Sequence, residues 1–164
     1  MTDPRSRSNG DAPTIGDLIE LWACDRFDMR HDDEAHYDGY RRLLTEDGTE
    51  VEIKATAQWI QNGYRSNEEP RRTRGRWKIW RKSHNELQEN DGVYLFVIYE
   101  ETDNDSLNVI HWLWMTPDRL LEITGDSWWD VNSNPRTHSK GAVYRFSWTK
   151  LVDKDQLNAT LCNE

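Results

Sequence analysis

The eight residues G-V-Y-L-F-V-I-Y, 92–99, run apolar almost without interruption. A strand with one wet face alternates polar and apolar residues, so a strand like this one has to be covered on both faces. That requirement asks for a central position in a sheet, with further layers above and below. The expected fold class is therefore α/β, a mixed central β-sheet flanked by helices on both sides. The rest of the chain supplies the parts. Thr14 with Asp17 three residues on reads as a capping box, and Ile15, Leu18, Ile19 and Trp22 fall at i, i+3, i+4 and i+7, which predicts an amphipathic helix over 14–27. The polar run D-M-R-H-D-D-E-A-H then reads as a loop. Asp47-Gly48 is a hairpin-turn signal, and the arm after it, V-E-I-K-A-T-A, alternates with Val51, Ile53, Ala55 and Ala57 on one face. Residues 58–64 read as a loop or short helix and 65–75 as a polar stretch. Further strands are expected at 76–80, 107–115 and 143–151, and a short helix at 83–90. Another helix follows Thr116 as N-cap and Pro117 at the first helical position, and a long loop spans 125–141.

At 164 residues the chain is long enough to bury a proper core, and one domain over 14–164 is expected after a short disordered lead-in, 1–13. Nine Trp and six Tyr carry much of the apolar area. No run approaches the ~20 apolar residues of a membrane span. The N-terminus lacks the apolar core of a secretory signal, so a cytoplasmic location is expected. Cys24 and Cys162 form no spaced cluster, which excludes a disulfide framework and a Cys-ligated zinc site. The net charge is −9, with 17 Asp and 13 Glu against 15 Arg and 6 Lys, a balance found in chains kept soluble at high salt, as in halophiles. Such acidity also opposes indiscriminate nucleic-acid binding, which runs on phosphate neutralisation. Contact with nucleic acid has to come from a local basic patch.

In T-E-V-E-I-K-A-T-A the other face of the strand carries Glu52, Lys54 and Thr56. Side chains at i and i+2 share a face, so a carboxylate and an ammonium project into one small volume. With a second carboxylate from a neighbouring strand they make a site for a hard divalent cation such as Mg²⁺ (or Mn²⁺), which keeps waters and open positions for a phosphate oxygen. A metal-bound water becomes a nucleophile, and the lysine can orient it or stabilise developing charge.

The run Y-D-G-Y…E-D-G-T-E-V-E-I-K-A-T-A, preceded by a helix and followed by buried strands, resembles the core of the PD-(D/E)XK nuclease superfamily, to which many restriction endonucleases and resolvases belong. The resemblance covers about residues 14–99 and is firmest at Glu52-Ile53-Lys54. It implies a restriction-endonuclease-like core and a Mg²⁺-dependent endonuclease acting on DNA. In that pattern Asp38 is the first metal ligand, Glu52 the second, the carbonyl of Ile53 a further one, and Lys54 the catalytic lysine. Gln58 resembles a polar helper just past the strand. Tyr37 stands where the family has its proline. A two-residue Asp47-Gly48 turn sets Glu52 opposite Leu43, leaving Asp38 roughly 17 Å along the strand at ~3.3 Å per residue, and on the wrong face. An irregularity in this hairpin, either a longer loop or a bulge, is therefore predicted. Asp32, Asp33 and Glu34 are the fallback source of an acid.

R-R-T-R-G-R-W-K places Arg71, Arg72, Arg74, Arg76 and Lys78 within eight residues, the best phosphate-contacting segment in the chain. Alternation aims Arg76 and Lys78 at one face. The alternative is a solvated segment paired with Glu68 and Glu69. His31 and His36 with the acids between them read as a solvated loop before they read as a metal cluster, His84 as capping or packing, and His111 as a satisfied core histidine. Glu20 lies away from the helix's apolar face. Trp112, Trp114, Trp128, Trp129 and Trp148 read as core, with the alternative of a wall for a planar base. That alternative carries a rival function, a non-catalytic module for nucleic acid or a modified base. No glycine-rich phosphate loop, nucleophile elbow or zinc spacing occurs. A chain this short has little room for target recognition, so sequence-specific cleavage implies a homodimer or a partner chain.

Overall fold

Strand β7 (Val93–Glu101) lies between β3 (Glu50–Ala57), to which it is parallel, and β8 (Leu107–Met115), to which it is antiparallel. Its residues 94–98 are wholly shielded from solvent, as an unbroken apolar strand requires. The computed structural model describes residues 14–32, 42–62, 71–102, 106–125 and 142–157. Two short strands, β1 (Arg30–His31) and β2 (Leu43–Leu44), complete a five-strand sheet in the order β1-β2-β3-β7-β8. Helix α1 (Ile15–Phe27) covers one face, where Ile19 and Ala23 pack with Leu43, Val51, Leu95 and Val97. Its N-terminus carries the expected capping box, Thr14 with Asp17.

The other face is covered by a second layer. Strand β6 (Arg76–Trp80) pairs antiparallel with β9 (Val143–Ser147) and lies beside α2 (Arg81–Glu89) and α3 (Pro117–Thr124). Trp77, Ile79, Leu87, Leu120, Tyr144, Phe146 and Trp148 close over Tyr94, Phe96 and Ile98. Helices on both faces of a mixed sheet is the architecture the apolar strand demanded. Among the described residues no helix is long and apolar enough to cross a membrane.

Several local expectations are corrected. Residues 59–62 are not a loop or helix but strand β4 (Trp59–Asn62), paired with β5 (Arg71–Arg74) inside the stretch expected to be irregular. Cross-strand partners supply their backbone bonds, and Trp59 and Ile60 suit a pleated surface. Arg30 and His31 form β1 within the expected loop, because β2 offers an edge to pair with. The last strand stops at Ser147, and a 3₁₀ turn, Trp148–Lys150, follows, because the Trp148 indole swings back to donate to the Gln58 carbonyl at 2.9 Å. An unpredicted bulge interrupts the β7–β8 ladder between Ile98 and Tyr99.

The hairpin before β3 is irregular, as anticipated, through a longer loop. Leu44 pairs with Glu50 and Leu43 with Val51 rather than Glu52. Five residues, 45–49, make the connection, closed by Thr45 N–H to the Thr49 carbonyl at 2.9 Å. Gly48 takes φ +89°, a conformation that favours glycine. The Asp47 carboxylate accepts from the Thr45 hydroxyl and from Thr49 N–H and Oγ1. These bonds, the Thr45 hydroxyl's first, hold its pKa below the usual carboxylate range.

Candidate active site

Strand β3 turns Val51 into the α1 interface, so by strand parity Glu50, Glu52, Lys54 and Thr56 point the other way. In the parallel ladder Glu52 is level with Tyr94, Lys54 with Phe96 and Thr56 with Ile98. The charged pair therefore stands on the face that the second layer covers. At its far end Thr56 is buried beneath the start of β6, and at its near end Asn90, just after α2, donates to Glu50 at 2.9 Å. Between these two closures the side chains of Glu52 and Lys54 keep 26% and 20% of their exposure. A solvated charge ladder would stand open, whereas this pair is partly covered. Lys54 Nζ lies 2.7 Å from Glu52 Oε1, and Arg42 approaches Glu50 at 3.6 Å.

Behind the pair the site rests on buried polar contacts. The Tyr94 hydroxyl and His84 Nδ1 are 2.9 Å apart, with both side chains buried. Burial pushes the Tyr94 pKa far upward, and the negative charge of Glu52 adds to the shift. The fold thus keeps Tyr94 protonated. Its contribution to stability is whole below about pH 10, where an unfolded tyrosine ionises, and is lost progressively as the pH rises above that value. Tyr94→Phe strands the His84 nitrogen and should cost about 1–3 kcal/mol at neutral pH. It should also flatten the fall in stability above about pH 10. Urea unfolding at neutral and alkaline pH reads both effects.

A family model for the PD-(D/E)XK nuclease superfamily domain matches residues 5–153. The chain belongs to that superfamily. Searches of the curated proteins and of the solved structures gave no match. A leading helix, a short antiparallel arm, a strand bearing Glu-x-Lys and a buried strand after it are present, as the sequence resemblance implied; that the buried strand β7 runs parallel to β3 was not anticipated.

Nucleases of this superfamily typically use a divalent metal, and the donors on β3 suit a hard cation. Glu50 and Glu52 offer carboxylate oxygens two residues apart on one face. Asp32 N–H donates to the Arg42 carbonyl at 2.7 Å, continuing the β1–β2 register by one row. The row His31–Leu43–Val51 joins the three strands, and Asp32 and Glu52 each follow it by one residue. With ~4.8 Å between neighbouring strands, Asp32 and Glu52 lie about 10 Å apart across the strands. Among the described residues no three His, Cys, Asp or Glu side chains stand close enough to hold an ion unaided. Mg²⁺ needs only one or two carboxylates, because waters and phosphate oxygens complete its shell.

The other expected residues divide. Asp38 lies outside the described residues, as do Asp33, Glu34, His36, Trp128 and Trp129. Ile53 sits between the two charged residues on β3, with its side chain toward α1. Gln58 is buried at the bend between β3 and β4, four residues from Lys54, and its carbonyl accepts from Trp148 and from Gly75 N–H. His31 contacts Glu20 of α1 on the opposite face from Glu52, so it and Asp32 diverge. His84 packs, as expected. His111 is half-buried, which holds its pKa down. Trp148 is core, whereas Trp114 is 40% exposed against Phe27. Arg71 and Arg72 are placed in β5 by backbone pairing, and Arg74, Arg76 and Lys78 are exposed. Glu50 was missed, although T-E-V-E-I-K gives it the same parity as Glu52 and Lys54. Asn90, Tyr94 and His84 carry no motif, and only the folded chain brings them near.

Proposed function

We propose that the chain is a Mg²⁺- or Mn²⁺-dependent nuclease that hydrolyses phosphodiester bonds in DNA. The observation that carries this reading is the Glu52–Lys54 pair, 2.7 Å apart and partly covered, in a chain of the nuclease superfamily and on the strand where the sequence resemblance puts the acid and lysine. Glu52 and a second acid, Asp38 with Asp32 as its substitute, hold the cation, and the Ile53 carbonyl is a further oxygen donor. When bound, the metal lowers the pKa of a water and offsets charge on the phosphate. Lys54 has two duties. Without metal it neutralises Glu52. With Glu52 engaged elsewhere, its ammonium is released toward the attacking water or a phosphate oxygen, where a preformed cation in a drier site acts more strongly than in bulk solvent. Arg42 and Asn90 hold Glu50 and so fix the near end of the site.

Metal removal is the direct test. Cleavage of plasmid and branched DNA should stop in EDTA and return on adding Mg²⁺ or Mn²⁺ in excess. DNA bound tightly but never cut, with or without metal, would support the binding module instead.

A further inference from the structure

The outer face of the β6–β9 ribbon concentrates positive charge in a chain whose net charge is −9. Strand β6 buries Trp77 and Ile79 and exposes Arg76 and Lys78. In β9, Tyr144 and Phe146 go inward and Arg145 outward, directly opposite Lys78. Like charges facing each other across a ladder weaken the pairing. Arg74 precedes Gly75 and continues the stripe, its guanidinium 5.6 Å from the centre of the Trp59 ring. The Lys78 ammonium is 4.5 Å from the Trp80 ring. Arg81 and Lys82 extend the charge into the first turn of α2, where the helix dipole disfavours cations. Among the described residues Arg74, Arg76 and Arg145 make no ion pair. Exposed arginines gathered on one surface, Arg74, Arg76 and Arg145, fit an anionic partner.

We infer that this face docks single-stranded nucleic acid and leads it to the Glu52–Lys54 pair, the second half resting on the nuclease reading above. Along β6 the cations at i and i+2, Arg76 and Lys78, stand ~6.7 Å apart, a spacing suited to neighbouring phosphates of a stretched strand. Two aromatic rings lie in the same stripe, and Trp59 is 43% exposed. Cations interleaved with stacking surfaces are the pattern of single-strand binding. A free two-stranded ribbon can enter a duplex major groove, but this one is pinned flat on the core by Trp77, Ile79, Tyr144 and Phe146. Both the ribbon and the Glu52–Lys54 pair lie on the side of the five-strand sheet away from α1, so a strand passes from one to the other without rounding the sheet. Arg145, 67 residues after Lys78 in sequence, becomes part of the surface only through the β6–β9 pairing.

The test is fluorescence anisotropy with a labelled oligothymidine and a duplex of equal length, in EDTA, across a salt series. Arg145→Glu should weaken single-strand binding about tenfold and lower the salt slope by roughly one cation's share. Trp59→Ala should weaken the single strand about tenfold and leave the duplex unchanged. Thermal melts confirm that both variants fold. Arg145→Glu binding like the wild type would overturn the surface. So would a duplex preference unaffected by Trp59→Ala. Because binding is read without turnover, the two readings fail separately. A wild type that binds through Arg145 and never cuts sinks the nuclease and keeps the surface. Cutting that needs Glu52, with binding indifferent to Arg145, does the reverse.

Discussion

Lys54→Ala and Glu52→Ala should each reduce Mg²⁺-dependent DNA cleavage by about 10²–10⁴-fold, the range seen when a positioned catalytic group is removed. The geometry says why neither residue can be spared. Both side chains leave β3 on one face, and they are already within 2.7 Å of each other. The second layer limits the water that could substitute for either. Removing Glu52 takes away a hard oxygen donor and leaves Lys54 without its counter-charge in a partly covered site, so some loss of stability accompanies the loss of rate. The double variant Glu52→Gln with Lys54→Met separates the two effects, since it removes both charges while keeping both shapes. It should melt near the wild type and be no less active than the worse single variant, because residues that act as a unit are not additive. Single-turnover cleavage at saturating Mg²⁺ is the measurement. Full activity in Lys54→Ala would dismiss the lysine from the chemistry, and full activity in both single variants would dismiss the site.

Glu52 and Lys54 were legible because strand parity is a local property: two residues apart in an alternating strand fixes a shared face whatever the rest of the chain does. The apolar run in β7 was legible for a similar reason, since its composition alone demands cover on both sides. What failed was pairing. Nothing local marks Arg30–His31 as a strand, and β1 exists because β2 presents it an edge. Trp59–Asn62 was misread for the same reason, its partner being the arginine-rich segment rather than anything nearby in periodicity. The turn at Asp47-Gly48 carried a clear signal, but the side chains of Thr45 and Thr49 closed a five-residue loop around Asp47 and moved the register by one. A one-residue shift inverts every facing assignment, which is why the opposing acid was harder to place than the Glu-x-Lys strand itself. Tyr94 and His84 lay beyond sequence reading because their contact joins a strand and a helix ten residues apart, each of which looks like ordinary core.

Gly75→Ala should be the most damaging single methyl in the described structure, with a loss of roughly 3 kcal/mol or more, at the upper end of what overpacking costs. A Cβ built there would stand 1.9 Å from the Ala57 carbonyl oxygen and 2.2 Å from Thr56 Oγ1. The first of these is backbone at the end of β3 and has no rotamer to yield. Gly75 is where the chain leaves β5 and crosses over the end of β3 as β6, with its N–H bonded to the Gln58 carbonyl at 3.2 Å and its carbonyl accepting from Trp148 N–H at 3.2 Å. The Trp148 indole bonds the same Gln58 carbonyl from the other side, so three segments meet on one carbonyl group. Forcing them apart lifts β6 from Thr56, which unseats Trp77 from its bond to the Val97 carbonyl and opens the far end of the Glu52–Lys54 site. Cleavage and single-strand binding should therefore fall together with the melting temperature in Gly75→Ala. Gly75→Ser should do no better, since its Cβ meets the same oxygen. Trp148→Phe loses the indole bond and also shrinks a buried core side chain, so its cost should exceed the ~1 kcal/mol of one hydrogen bond, at about 2 kcal/mol. Chemical denaturation of the three variants ranks them. A Gly75→Ala protein as stable as the wild type would mean that β6 does not rest on Thr56, and that the second layer does not cover the site at that end.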